Sequence, residues 1–251
     1  MRPVVFLHIP KTAGQAIHHA LGAMVGAENV SPIRVNEQAK GGSALPPGYV
    51  LHSGHIDWSD LDQIEGDPFV FSVLRDPGER IGSFYFYMRD KAKAASRQEV
   101  SQRLGLQRML EYSVDDYFLG GDARWQGFVR NMYFNFYCSY FATRRVSGRK
   151  RLRGLSPEQI IEQALVGAQA IERIYRVDNL TALEDDIEQI YGHRIAVAGR
   201  QVNAGNHRPN ERRWPKLLAR LERDDSARML RAFTAEDEAL MARLTAAGRL
   251  V

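Results

Sequence analysis

"VVFLHIPKTAGQAIHHAL", residues 4–21, decides the fold. Val4-Val5-Phe6-Leu7 is an uninterrupted apolar run with the length of a strand covered on both faces, placing a strand at about 3–8. His8-Ile9-Pro10-Lys11-Thr12-Ala13-Gly14 carries the turn residues, and from Gly14 the apolar spacing becomes helical, to about residue 25. Strand, turn and helix together outline a phosphate-binding loop. Such a turn points backbone N–H groups at one spot, and the helix dipole favours negative charge there. Lys11 adds a mobile cation, Thr12 a hydroxyl donor, and Gly14 allows close backbone approach. The nucleotide-triphosphatase spelling G-x-x-x-x-G-K-[ST] is absent.

The same layout recurs further along. After Asp67-Pro68, the run "FVFSVLRDP" ends in a polar turn with Arg75 at the strand end. From Gly78 onward, "ERIGSFYFYMRDKAKAAS" has helical length and period, with Ser83 one or two turns in. An arginine fork at a strand end and a serine hydroxyl on the next helix can converge on one phosphate. Between the two units lie a loop at 35–48, a short strand "YVLHSGHI" and a short helix over 57–64. Beyond them, 99–119 and 122–141 read as helices, the latter unusually aromatic, and 144–154 as a basic loop. Ser156-Pro157-Glu158 opens a helix, 171–177 reads as a strand, and Gly192 closes the following amphipathic helix. After a loop at 199–210, helices fill the C-terminal part. Apolar runs each feeding a helix predict an α/β fold, a central parallel sheet flanked by helices, in one domain over 1–251.

Composition is that of an ordinary globular chain: 251 residues, 44% hydrophobic and 25% charged. The formal charge of +4 suits a single anionic ligand site and falls short of a nucleic-acid-binding patch. A single cysteine, Cys138, excludes an internal disulfide framework and multi-cysteine zinc sites; in its aromatic run it reads as a buried thiol. No signal peptide is evident, and no apolar segment approaches the ~18 residues of a membrane span. A cytoplasmic setting is expected, with the oligomeric state unspecified.

The pair "HIPKTAG" and "LRDPxxRxxSxYxF" resembles the sulfotransferase superfamily, in the branch containing heparan sulfate 2-O-sulfotransferases and related bacterial proteins. The resemblance covers about residues 3–90 and continues weakly through "IYRVDNLTALEDDI" and "QVN" at 201–203. It implies a P-loop-like nucleotide-binding fold and the donor 3′-phosphoadenosine 5′-phosphosulfate, which leaves as adenosine 3′,5′-bisphosphate. It also implies that Lys11, Thr12, Ala13, Gly14 and Gln15 hold the 5′-phosphosulfate, and Arg75 and Ser83 the 3′-phosphate. In the loop "QVNAGNHRPNERR", which corresponds to the segment closing over the adenosine, Asn203 and Arg208 are candidate contacts. Where family members usually carry hydroxyl residues after the glycine, this chain has Gln15-Ala16, and the Gln15 amide can donate instead.

Sulfuryl transfer is an in-line displacement that needs aligned reactants, neutralised charge on the leaving oxygens and a base for the acceptor hydroxyl. Lys11 suits the leaving group. His55, in "YVLHSGHIDW", titrates near neutrality and matches the second histidine of the "HGH" segment that supplies the base in the 2-O-sulfotransferases. Asp57 is the reserve base. No aspartate-rich metal motif is present and no metal is expected; His18 and His19, adjacent on a helix, diverge too far to share one. Arg80 is a further candidate contact to donor or acceptor. The basic run 144–153 is either an anionic-acceptor surface or a solvated loop, and the aromatic run Tyr133–Phe141 reads as core. The acceptor is expected to be a hydroxyl-bearing carbohydrate or other small molecule. The competing readings are a nucleotide kinase with a degenerate phosphate loop and a nucleotide-binding regulatory protein without catalysis.

Overall fold

The computed structural model describes residues 1–199 and 211–251. Strands β1 (Val4–Leu7), β2 (Leu51–Gly54), β3 (Phe69–Leu74) and β4 (Arg173–Arg176) form one all-parallel sheet in the order β2-β1-β3-β4. The helices, in chain order, are α1 (Gly14–Val25), α2 (Pro77–Ala94), α3 (Arg97–Gln102), α4 (Leu104–Glu111), α5 (Val114–Leu119) and α6 (Ala123–Met132). They continue with α7 (Phe136–Thr143), α8 (Pro157–Ala168), α9 (Leu180–Tyr191), α10 (Arg213–Leu218), α11 (Ser226–Arg231) and α12 (Ala235–Ala246). The expected α/β class, with a central parallel sheet flanked by helices, is what the chain adopts.

The chain divides into two compact units. The first holds Met1–Arg75, the described part of 137–202, and Ala239–Val251; the second holds Asp76–Phe136 and the described part of 203–238. The first contains the sheet. All four residues of β1 and all six of β3 are buried, as strands covered on both faces must be, and this is why they read as continuous apolar runs. One face carries an aromatic ladder: Phe6 stacks on Phe71 at 4.7 Å, and Phe71 meets Tyr175 edge-on at 5.9 Å. Ile17, Leu21 and Val25 from α1 and Leu183 and Ile187 from α9 belong to the same core.

The second unit is helical and has its own core, with Ile81, Tyr85, Phe118, Trp125 and Leu217 among its buried members. Its α2 starts on Asp76, whose side chain accepts from the Glu79 N–H at 2.8 Å, with Pro77 in the first turn.

Several boundaries differ from the sequence reading, two of them because a long-range contact prevails over local pattern. The expected helix 122–141 breaks after Met132, because Asn135 takes a left-handed conformation (φ 44°). There its N–H donates to the Phe233 carbonyl at 2.7 Å and its side chain accepts from the Glu236 N–H at 3.0 Å. Arg80, fully buried, donates to the Met132 and Tyr133 carbonyls that the break exposes, and its guanidinium faces the Phe136 ring at 4.9 Å. The expected helix 99–119 is three shorter ones, the last restarted by Ser113 accepting from the Asp116 N–H. The expected helix over 57–64 is a single 3₁₀ turn, Leu61–Gln63, since Trp58 N–H instead donates to the Arg144 carbonyl at 2.9 Å.

Candidate functional site

In the strand order β2-β1-β3-β4, β2 lies on one side of β1 and β3 on the other. In open α/β sheets, ligands bind beyond the carboxyl ends of the strands where the chain changes direction, here between β1 and β3. The Lys11 loop follows β1 and Arg75 follows β3, so both leave the sheet at that edge.

The β1–α1 turn is backbone-strained. Lys11 (φ 73°) and Ala13 (φ 64°) have left-handed dihedrals that are unfavourable for residues with a Cβ, on either side of Thr12. Successive N–H groups in such turns form anion-binding concavities. Ala13, the N-cap of α1, makes no side-chain capping bond, and the first turn contains no acidic residue. Thr12, expected to donate its hydroxyl to a ligand, is fully buried and donates to the Ile9 carbonyl at 2.9 Å, bracing the loop. Gln15 is exposed. Gly14 is needed for a reason local pattern does not reveal: a Cβ there would overlap the imidazole of His8.

His8 links the loop to the end of β2. Its N–H donates to the Gly54 carbonyl at 3.2 Å, and its ring lies parallel to Phe6 at 5.3 Å and 4.2 Å from the ring of His55. The His55 N–H donates to the Arg34 carbonyl at 2.8 Å, an approach that Gly54 permits because a Cβ at 54 would overlap that carbonyl. The His55 side chain, partly buried, donates from Nδ1 to the main-chain oxygen of His8 at 2.7 Å. A carbonyl only accepts, so the Nδ1–H tautomer is fixed and the neutral ring keeps its lone pair on Nε2.

Burial pushes the His55 pKa down, opposed by the His8 carbonyl and assisted by the Arg34 charge. His8 is held well below its ordinary value, first by burial, then by His55, Arg34, His18 and Lys11. Both imidazoles are therefore neutral at pH 7 in a positive field, and His8 Nδ1 is buried without a partner. Neither His8 nor Arg34 stands out in the sequence. His8 lies inside the quoted stretch but looks like a strand-end residue, and Arg34 belongs to a loop that only β2 brings into place.

Arg75 is fixed at the backbone: its N–H donates to the Tyr137 hydroxyl at 3.3 Å, and that hydroxyl donates to the Arg75 carbonyl at 2.9 Å. Asp57 is heavily engaged. Its carboxylate accepts from Asn36 Nδ2 at 2.7 Å, the Val146 N–H at 2.8 Å and Arg145 Nη1 at 3.2 Å. Arg144 lies over the Trp58 ring at 4.9 Å, so the start of the basic run is fastened to the Asp57–Trp58 segment. The aromatic run supplies core residues: Tyr133, Phe136, Tyr137, Cys138, Tyr140 and Phe141 are all buried.

Ser83 belongs to the second unit, buried on α2, and its hydroxyl accepts from Arg213 Nη1 at 3.2 Å. In the same unit the buried Glu79 carboxylate accepts from the N–H groups of Arg213 and Trp214 at 2.9 and 3.2 Å, tying α10 to α2. Asn203 and Arg208 lie outside the described residues. Among the described residues, no three His, Cys, Asp or Glu side chains are grouped to hold a metal ion, and no helix is long and apolar enough to cross a membrane. No family model matches this chain, and no curated protein matches it.

Proposed function

We propose that the chain is a sulfotransferase of the P-loop-like nucleotide-binding fold, active in the cytoplasm. It moves a sulfuryl group from 3′-phosphoadenosine 5′-phosphosulfate to a hydroxyl of a carbohydrate or other small metabolite. The observation that carries the reading is the oriented, neutral His55, packed on His8 beside the Lys11 turn. In this reading His55 serves as the base, with its lone pair on Nε2 and the Arg34 charge acting on its ring.

The residues fit the donor by their chemistry. A strained turn, an acid-free helix start, Lys11 and the Arg34 charge all favour a polyanion. In this reading Lys11 and the backbone of residues 12–15 hold the phosphosulfate, and Arg75 takes the 3′-phosphate. The donor supplies a sulfuryl group already bonded to a good leaving phosphate. His55 Nε2 takes the proton as the acceptor oxygen bonds to sulfur, and Lys11 neutralises the charge on the oxygen whose bond to sulfur breaks. The sulfated acceptor and adenosine 3′,5′-bisphosphate leave, and His55 returns its proton to water. Asp57, already taking three donors, acts as a clasp in this scheme rather than as the base.

The test is thermal stabilisation followed by transfer of labelled sulfate to a panel of sugar and small-molecule acceptors. Adenosine 3′,5′-bisphosphate should raise the melting temperature without magnesium, ATP-magnesium should not, and label should reach an acceptor. The reverse nucleotide preference would support a kinase, and stabilisation without transfer a binding protein.

A further inference from the structure

The second unit contains a cavity of about 420 Å³, within the size range of small-molecule sites. Tyr85, Arg89 and Lys93 line it from successive turns of α2, at i, i+4 and i+8, so one stripe of the helix faces it. Met109 and Leu110 at the end of α4 face it across the α2–α4 contact, followed by Tyr112, and Arg220 borders it beyond α10.

The charges are one-sided. Arg89, Lys93 and Arg220 stand against one carboxylate, Glu222. Among the described residues none of those three cations makes an ion pair. One is held in place by other means: the Arg220 guanidinium lies 5.2 Å from the Phe86 ring centre. Like charges gathered round a cavity repel one another, and an anion relieves that repulsion. Apart from Ser113, the rest of the lining is apolar or aromatic. Tyr85 and Met109 are buried, while Leu110 leaves 48% of its surface exposed.

The geometry points to a binding site for a small organic anion: a sulfonate, sulfate, phosphate or carboxylate head taken by Arg89, Lys93 and Arg220, with an aromatic or short aliphatic body against Leu110 and Tyr112. The Arg89 fork offers two parallel donors to an oxyanion, and the tyrosines limit how far the body enters. This site uses no residue of the Lys11–His55 site and does not depend on the sulfotransferase reading.

Calorimetric titration of the full chain with 2-naphthalenesulfonate, beside sodium sulfate and neutral 2-naphthol, tests it. Naphthalenesulfonate is expected to bind one per chain, more tightly than either half-analogue. The Lys93→Glu/Arg220→Glu double variant, with an unchanged melting temperature, should lose at least about tenfold in affinity, the scale of charge-assisted hydrogen bonds. Arg89→Gln, a milder change, should also lose about tenfold, whereas Lys11→Ala should bind like wild type. Wild-type affinity in both cavity variants, loss in Lys11→Ala, or equal binding of sulfate or naphthol would overturn the assignment.

Discussion

His55 Nδ1 and the main-chain oxygen of His8 are joined by a 2.7 Å hydrogen bond, so the Nε2 lone pair of His55 is oriented by the backbone at the end of β1. The carbonyl can accept but never donate, which makes the tautomer of His55 a property of the fold and independent of any ligand. The same strand end opens the Lys11 turn. A shift of His8 would therefore disturb His55 and the loop together.

On the proposed mechanism, His55→Ala should lower turnover by about 10²- to 10⁴-fold, the usual contribution of a positioned base. Affinity for adenosine 3′,5′-bisphosphate should stay close to wild type. Lys11→Ala should lose both turnover and affinity. Steady-state kinetics with calorimetry separates the two, and near-wild-type turnover in His55→Ala would remove His55 from its role.

The pH dependence has a definite sign. His8, His55, His52 and His18 all have lowered pKa values, His18 to about 4, with burial the leading cause for each. Below about pH 6.5 the unfolded chain binds protons that the native state refuses, so stability present above that pH is lost on acidification. The melting temperature should fall from pH 7 toward pH 4, less steeply in His8→Gln. On the proposed mechanism turnover needs neutral His55, so it should hold through pH 6.5 and decline only below it.

Gly14→Ala should destabilise the protein by about 1–3 kcal/mol, as overpacking of a filled site does, because the new methyl group enters the space of the His8 ring. Combining it with His8→Ala should recover part of the loss, since the two positions share that space. A denaturant-based double-mutant cycle measures the coupling; strict additivity would refute the steric account.

Asp57→Asn separates a clasp from a base. It keeps an oxygen for the Asn36 and Val146 donors but sets an amide NH2 against the Arg145 guanidinium, so a loss of about 1–3 kcal/mol is expected. Turnover at a temperature where the variant is folded should remain within a few-fold of wild type by the proposed scheme. A loss as deep as that of His55→Ala would transfer the base role to Asp57.

The strand–turn–helix units at 4–25 and 69–94 were legible because their signals are local. Apolar runs, the Asp76-Pro77 start and the change of period all lie within one stretch of chain. Gly192 likewise marked the end of α9, where it takes the left-handed conformation (φ 68°). The break at Asn135 was illegible: its sequence is helical, and the groups that hold it open come from residues 232–236. Whether the basic run after residue 144 is solvated was likewise decided elsewhere, by Asp57 and Trp58.

By itself the sequence determined that β1 and β3 are buried parallel strands, each feeding a helix, with Lys11 and Arg75 at their ends, since periodicity and turn chemistry are short-range. Only the tertiary structure decided that His8 and Arg34 join His55, that Gly14 exists to admit His8, and that the Thr12 hydroxyl braces its own loop. Those relations depend on β2 lying beside β1 with Leu7 opposite Gly54. That register brings residues distant in sequence to one edge, and no pattern within a single segment encodes it.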